Sequence, residues 1–124
     1  MTYEFYKVLH FCALILTFTS LIGSFSLRYF VTSETDLTKN MTKKFSMGHG
    51  IGLTLVLISG FGLAARLGYL SDFPGWIYVK IALWLIAGGM AALIKRKKLS
   101  TLITYLIIIS LPLIGSILAV NKLF

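Results

Sequence analysis

Four long stretches of the chain carry no charged residue: 8–27, 45–65, 81–94 and 99–121. At a rise of about 1.5 Å per residue, roughly 20 apolar residues cross the hydrocarbon core of a bilayer. The third stretch reaches that length when it begins near Pro74 and takes in Lys80. Backbone N–H and C=O groups find no water in lipid, so a single spanning run has to pair them within itself, as a helix does. The expected architecture is therefore an all-α membrane protein, an antiparallel bundle of four transmembrane helices. Its helices are expected near 6–29, 45–67, 74–94 and 99–121, in one domain covering 1–124. Pro74 suits a helix start, where its missing N–H would be unpaired anyway. Pro112 falls inside the fourth run and is expected to kink it.

The connections agree with this reading. Residues 32–44 are polar, with Ser33, Glu34, Asp36 and Asn40; Gly68 to Phe73 makes a brief turn; "KRKK", Lys95 to Lys98, separates the last two runs. A cleaved leader accounts less well for the first run, which is longer than the roughly 7–15 apolar residues of a signal peptide core and is preceded by one basic residue, Lys7. With 57% hydrophobic and 13% charged residues and a mean hydropathy of +0.88, the chain is too apolar for a small water-soluble domain.

A net charge of +8 raises the question of nucleic acid, but such binding needs the basic residues on one folded face, and here they lie in short clusters between apolar runs. Membrane orientation explains them better. Arg28, Lys39, Lys43, Lys44, Lys95, Arg96, Lys97 and Lys98 belong to the first and third connections, against Lys7, Arg66, Lys80 and Lys122 elsewhere. The excess puts those two connections in the cytoplasm and both termini outside, with Tyr3, Tyr6, Tyr69, Trp76 and Tyr78 as an aromatic group at the outer interface. Cys12, the single cysteine, forms no intrachain disulfide.

Helical geometry sorts the polar residues into stripes. His10, Thr17, Ser24 and Arg28 share one direction on the first helix; His49, Gly52, Val56, Gly60 and Arg66 share a sector of the second; Lys80 aligns with Ala87 and Ala91 on the third. Small residues let membrane helices approach closely, so these are the expected packing faces, joined by the pairs Gly88/Ala92 and Gly115/Ala119. With helix two beginning near 45, His49 should lie level with Arg28 at the inner surface, about 20 Å in depth from His10. The expected pairs are then His10 with Lys80 at the outer side, Arg66 nearby, and His49 with Arg28 at the inner side. Each residue also has a plain explanation. Lys80 is close enough to a helix end to extend its ammonium to the headgroups, Arg28 suits a cytoplasmic anchor, and either histidine can hydrogen-bond between helices.

Other chemistries lack their residues. No span contains a carboxylate for proton-coupled export, no glycine-rich nucleotide loop is present, no Ser-His-Asp or paired-carboxylate set can be built, and a zinc site lacks ligands. The basic "KRKK" could bind anionic lipid, although topology alone accounts for it.

The segments "KVLHFCALI", "GSFSLRYF", "LISGFGL", "GWIYVK" and "LPLIGSILAVNKLF", in this order and spacing, resemble a group of small four-helix bacterial membrane proteins. That group comprises the SirB family, the HemJ-type protoporphyrinogen oxidases and the CopD-like domains. "LH" at His10 and "GH" at His49 look like the SirB pattern of a histidine opening each of the first two helices. By resemblance to the HemJ-type enzymes, a first-helix histidine and a third-helix lysine linked to b-type haem map to His10 and Lys80.

The resemblance implies a bacterial inner-membrane protein holding haem b or a related porphyrin in an outer-side pocket. His10 would be the metal ligand, and Lys80, Arg66, His49 and Arg28 the further cofactor-binding candidates. Lys80 would ligate in its deprotonated form or pair a propionate. No catalytic residue is assigned, and an enzymatic version would be a membrane oxidoreductase related to protoporphyrinogen oxidase. A second reading is a non-enzymatic subunit or assembly factor, packing against a membrane-protein partner or further copies of itself through its glycine and alanine faces. In every reading its surroundings are the lipid bilayer, and no nucleic acid is involved.

Overall fold

The structure, a computed structural model, describes residues 2–33, 35–69, 71–96 and 99–121, the last residue by its backbone alone. Glu34, Lys97, Lys98 and Lys122, used above for polarity and orientation, lie outside the described residues. Four helices follow one another: α1 (Tyr3–Phe30), α2 (Asp36–Arg66), α3 (Gly75–Arg96) and α4 (Thr101–Asn121). All four are long and apolar enough to cross a membrane. The fold is the expected four-helix membrane bundle, and Pro112 lies within the continuous helix α4.

One boundary differs in a way that matters. α2 begins at Asp36, nine residues before the apolar run, because Thr35 provides a capping box. The Thr35 hydroxyl accepts from the Thr38 amide at 3.2 Å while the Thr38 hydroxyl accepts from the Thr35 amide at 2.8 Å, satisfying donors that a helix start otherwise leaves unpaired. Asp36 adds a carboxylate where the helix dipole favours one. With 31 residues, α2 is about 46 Å long and exceeds a hydrocarbon core of about 30 Å. Its first turns are polar and exposed.

At the other end α2 stops in a Schellman turn. Gly68 adopts φ +79°, a left-handed conformation that glycine reaches without a Cβ penalty. The amides of Gly68 and Tyr69 return to the carbonyls of Ala65 (3.2 Å) and Ala64 (2.9 Å).

α1 and α2 form a close hairpin. At Gly52 a Cβ would stand 2.9 Å from Thr17 Cα, so only a glycine lets the two backbones meet there. The start of α1, the end of α2, the start of α3 and the end of α4 lie at one end of the bundle, the terminal end; the opposite helix ends lie at the loop end. A buried core of Leu21, Phe25, Ala87, Met90, Ile94 and Ile108, with Leu111, joins α1, α3 and α4 toward the loop end. Phe25 packs at a tilt against Tyr29 (4.9 Å between centroids) and stacks on Tyr105 (6.3 Å). The Tyr29 hydroxyl donates to the Leu99 carbonyl at 2.8 Å. Among the described residues α2 and α4 are the pair that stay apart.

Candidate functional site

Toward the terminal end the four helices separate around a cavity of about 680 Å³. This volume lies in the range usual for small-molecule and cofactor sites. All four helices contribute to its wall, which is mostly apolar, and among the described residues its charged side chains are Lys7 and Lys80.

His10 stands in this wall, and its Nδ1 lies 2.8 Å from the Ser59 hydroxyl of α2. Ser59 is buried and directs its single proton to the Leu55 carbonyl at 2.7 Å, with the Val56 carbonyl at 3.2 Å. The Ser59 oxygen is therefore assigned as acceptor of an Nδ1–H, which leaves the lone pair of His10 on Nε2. An imidazole oriented by a hydrogen bond through one nitrogen and carrying a lone pair on the other has the form of a metal ligand.

Lys80 is half-buried, lines the same cavity and holds its ammonium 5.8 Å from the centre of the Trp76 ring, one turn nearer the helix start. The side chain thus leans along the wall toward the terminal end, the direction favoured by side chains on a helix. Trp84, one turn deeper than Lys80, also lines the cavity, and its Nε1–H donates to the Leu53 carbonyl at 2.8 Å.

His49 occupies a different position from the one expected. The two histidines are offset by the seven residues of α1 between His10 and Thr17, about 10 Å, not about 20 Å. The reason is the early start of α2, which carries His49 along to the level of Thr17. It is buried, with Nδ1 3.2 Å from the Thr17 carbonyl of α1 and Nε2 3.1 Å from the Ala87 carbonyl of α3. Thr17 and Ala87 both line the cavity, so this clasp lies at its floor, where the closed half of the bundle begins.

Arg28 does not meet His49; its Nε donates to the Lys95 carbonyl at 3.0 Å at the exposed loop end. Arg66 is exposed near the end of α2 and is absent from the cavity wall. Of the five candidate residues, the structure brings His10 and Lys80 together, sets His49 beneath them and leaves Arg66 and Arg28 elsewhere.

Ser59 and the α4 wall were not foreseen. Ser59 is seven residues after Gly52, the spacing that returns to the same helix face, so the stripe containing Gly52 pointed to it. Gly115 and Ala119 line the cavity. Their small side chains therefore give the cavity width at that wall, in addition to any close approach of helices.

Among the described residues no three His, Cys, Asp or Glu side chains gather to hold a bare metal ion. No family profile matches the sequence, no curated protein is found similar to it, and no solved structure matches its fold.

Proposed function

We propose that this protein holds haem b or a related porphyrin in the cavity at the terminal end of the bundle, where His10 would ligate its metal. The observation that carries this reading is His10 itself: an imidazole anchored at Nδ1 by a buried serine, in the wall of a largely apolar cavity that also contains a lysine. A porphyrin is a flat apolar body with carboxylate arms, and its four ring nitrogens supply the ligands that the chain lacks. When bound, haem supplies an iron centre able to exchange one electron. Lys80 and Lys7 are suited to its carboxylates. His49 takes no part in ligation, because both of its nitrogens are directed to backbone carbonyls.

The likeness to SirB and HemJ-type proteins in "KVLHFCALI" and "GWIYVK" supports the same assignment. The same likeness suggests a bacterial cytoplasmic membrane, and the basic residues of the loop end favour an orientation with that end in the cytoplasm and the cavity toward the outside.

The test is the absorption spectrum of protein purified in mild detergent from haem-replete cells, oxidised and then reduced with dithionite. A stoichiometric Soret band is expected, lost in His10→Ala, weakened in Lys80→Ala and unchanged in Arg66→Ala. A colourless, helical, monodisperse wild-type protein would overturn the reading. Co-purification of a fixed membrane partner would then favour the non-enzymatic subunit.

A further inference from the structure

A cavity inside a membrane has an opening as well as a shape, and three of its flanks are closed. α1 and α2 meet along their length, with Tyr6 against Gly62, Thr17 against Gly52 and Ser20 against Gly48. Between α2 and α3, the Tyr69 ring stands edge-on to Trp76 at 6.1 Å, and Trp84 is hydrogen-bonded to Leu53. Between α3 and α4, the Leu83 side chain reaches to 4.0 Å from where a Cβ on Gly115 would stand.

The fourth flank, between α1 and α4, is closed at the loop end by Phe25 on Tyr105, by Tyr29 on Leu99 and Thr104 and by Leu21 with Ile108 and Leu111. Nearer the termini the wall residues on both sides of this seam face outward. Phe11 of α1 is 59% exposed and Val120 of α4 is 81% exposed, yet both line the cavity, as does the exposed Ser116; Phe61 and Leu67 on the α2 side also line it but are more covered, at 41% and 36%. Residues that line a cavity while most of their surface is uncovered stand at its opening.

We infer that the cavity opens sideways, through the seam between α1 and α4, into the leaflet at the terminal end, and that it takes its ligand from the lipid phase. The ligand is an anionic amphiphile of the porphyrin kind, its apolar body passing between Phe11 and Val120 and its carboxylates drawn to Lys80 and Lys7. The charge complementarity is one-sided, since no Asp or Glu stands in the wall. The identity of the ligand rests on the function proposed above; the opening does not. When the site is not filled by the ligand, lipid acyl chains have access to it.

Trp84 reports on this directly. Trp76→Phe leaves Trp84 as the single tryptophan of the chain. This variant is reconstituted into phosphatidylcholine vesicles whose acyl chains carry bromine, a contact quencher of indole fluorescence. Strong quenching is expected, and it should fall severalfold when the opening is plugged by Gly115→Leu or, independently, by Ser116→Phe. Helicity and elution volume show that each variant is folded, and two plugs guard against loss of one. Quenching by aqueous acrylamide without quenching by brominated lipid would mean that the cavity opens to water, which overturns the inference. Lipid quenching that neither folded plug diminishes would overturn it too. A colourless protein with plug-sensitive lipid quenching would refute the porphyrin while leaving the opening in place.

Discussion

At the scale of single residues, His49 does more for the architecture than its position in the sequence suggested. A neutral imidazole has one N–H, so it donates to the Thr17 or the Ala87 carbonyl at a time, according to tautomer; in either state it ties α2 to a neighbour through backbone atoms. Hydrogen bonds between membrane helices contribute about 1 kcal/mol, because polar groups find other partners in the unfolded membrane state as well. His49→Ala is therefore expected to cost about 1–2 kcal/mol, read as a lowered melting temperature in detergent. His10→Ala also breaks one link between helices, to Ser59 at 2.8 Å, and should cost a similar amount, but of the two variants it alone is expected to lose the Soret band.

That contrast would separate a structural histidine from a ligand-type histidine, which the sequence left open. Both read as polar residues on apolar helices, and what distinguishes them is where their two nitrogens point. Ser59 makes the difference for His10, and its contribution depends on the register between α1 and α2, a long-range property without a local signature.

At the scale of elements, the helices themselves were legible because lipid leaves a spanning chain few alternatives. The start of α2 was not, since hydropathy marks where a segment enters lipid and not where its helix begins. Thr35 and Thr38 form the box, but the residue three beyond the cap is a threonine where a glutamate or glutamine is the usual signal. Moving the helix start by nine residues moves His49 by about two and a half turns relative to an expectation counted from position 45.

The glycines separate in the same way. Gly52 and Gly50 are two residues apart on one helix, but at Gly52 a Cβ meets the Thr17 backbone, whereas at Gly50 it meets nothing within 4 Å. Gly52→Leu is expected to separate α1 from α2 and to abolish a stable fold, while Gly50→Leu should retain the parent's elution profile and melt within about 0.5 kcal/mol of it, as surface substitutions do. Thermal melts of the two variants side by side check this.

At the scale of the whole molecule, the bundle is divided into two halves of different character. Toward the loop end, aromatic and branched side chains from α1, α3 and α4 fill the interior; toward the terminal end, the same helices surround a space. The sequence contained both halves without distinguishing them, because a run of apolar residues reads alike whether it covers a core or lines a hollow. Only the small residues of α4 hinted at the difference, and small-xxx-small spacing is equally a packing signal.

The α4 wall has a consequence for how the chain responds to selection for stability alone. A helix face bearing Gly115, Ser116 and Ala119 forgoes the dispersion contacts that leucines would make across the same gap. A sequence optimised for cohesion would place larger residues there. The double substitution Gly115→Leu/Ala119→Leu is thus expected to raise the melting temperature of the protein while removing the proposed binding of haem, and differential scanning with and without added haemin reads both effects. A thermostabilised version chosen by melting temperature alone would then become better folded and lose its hollow half.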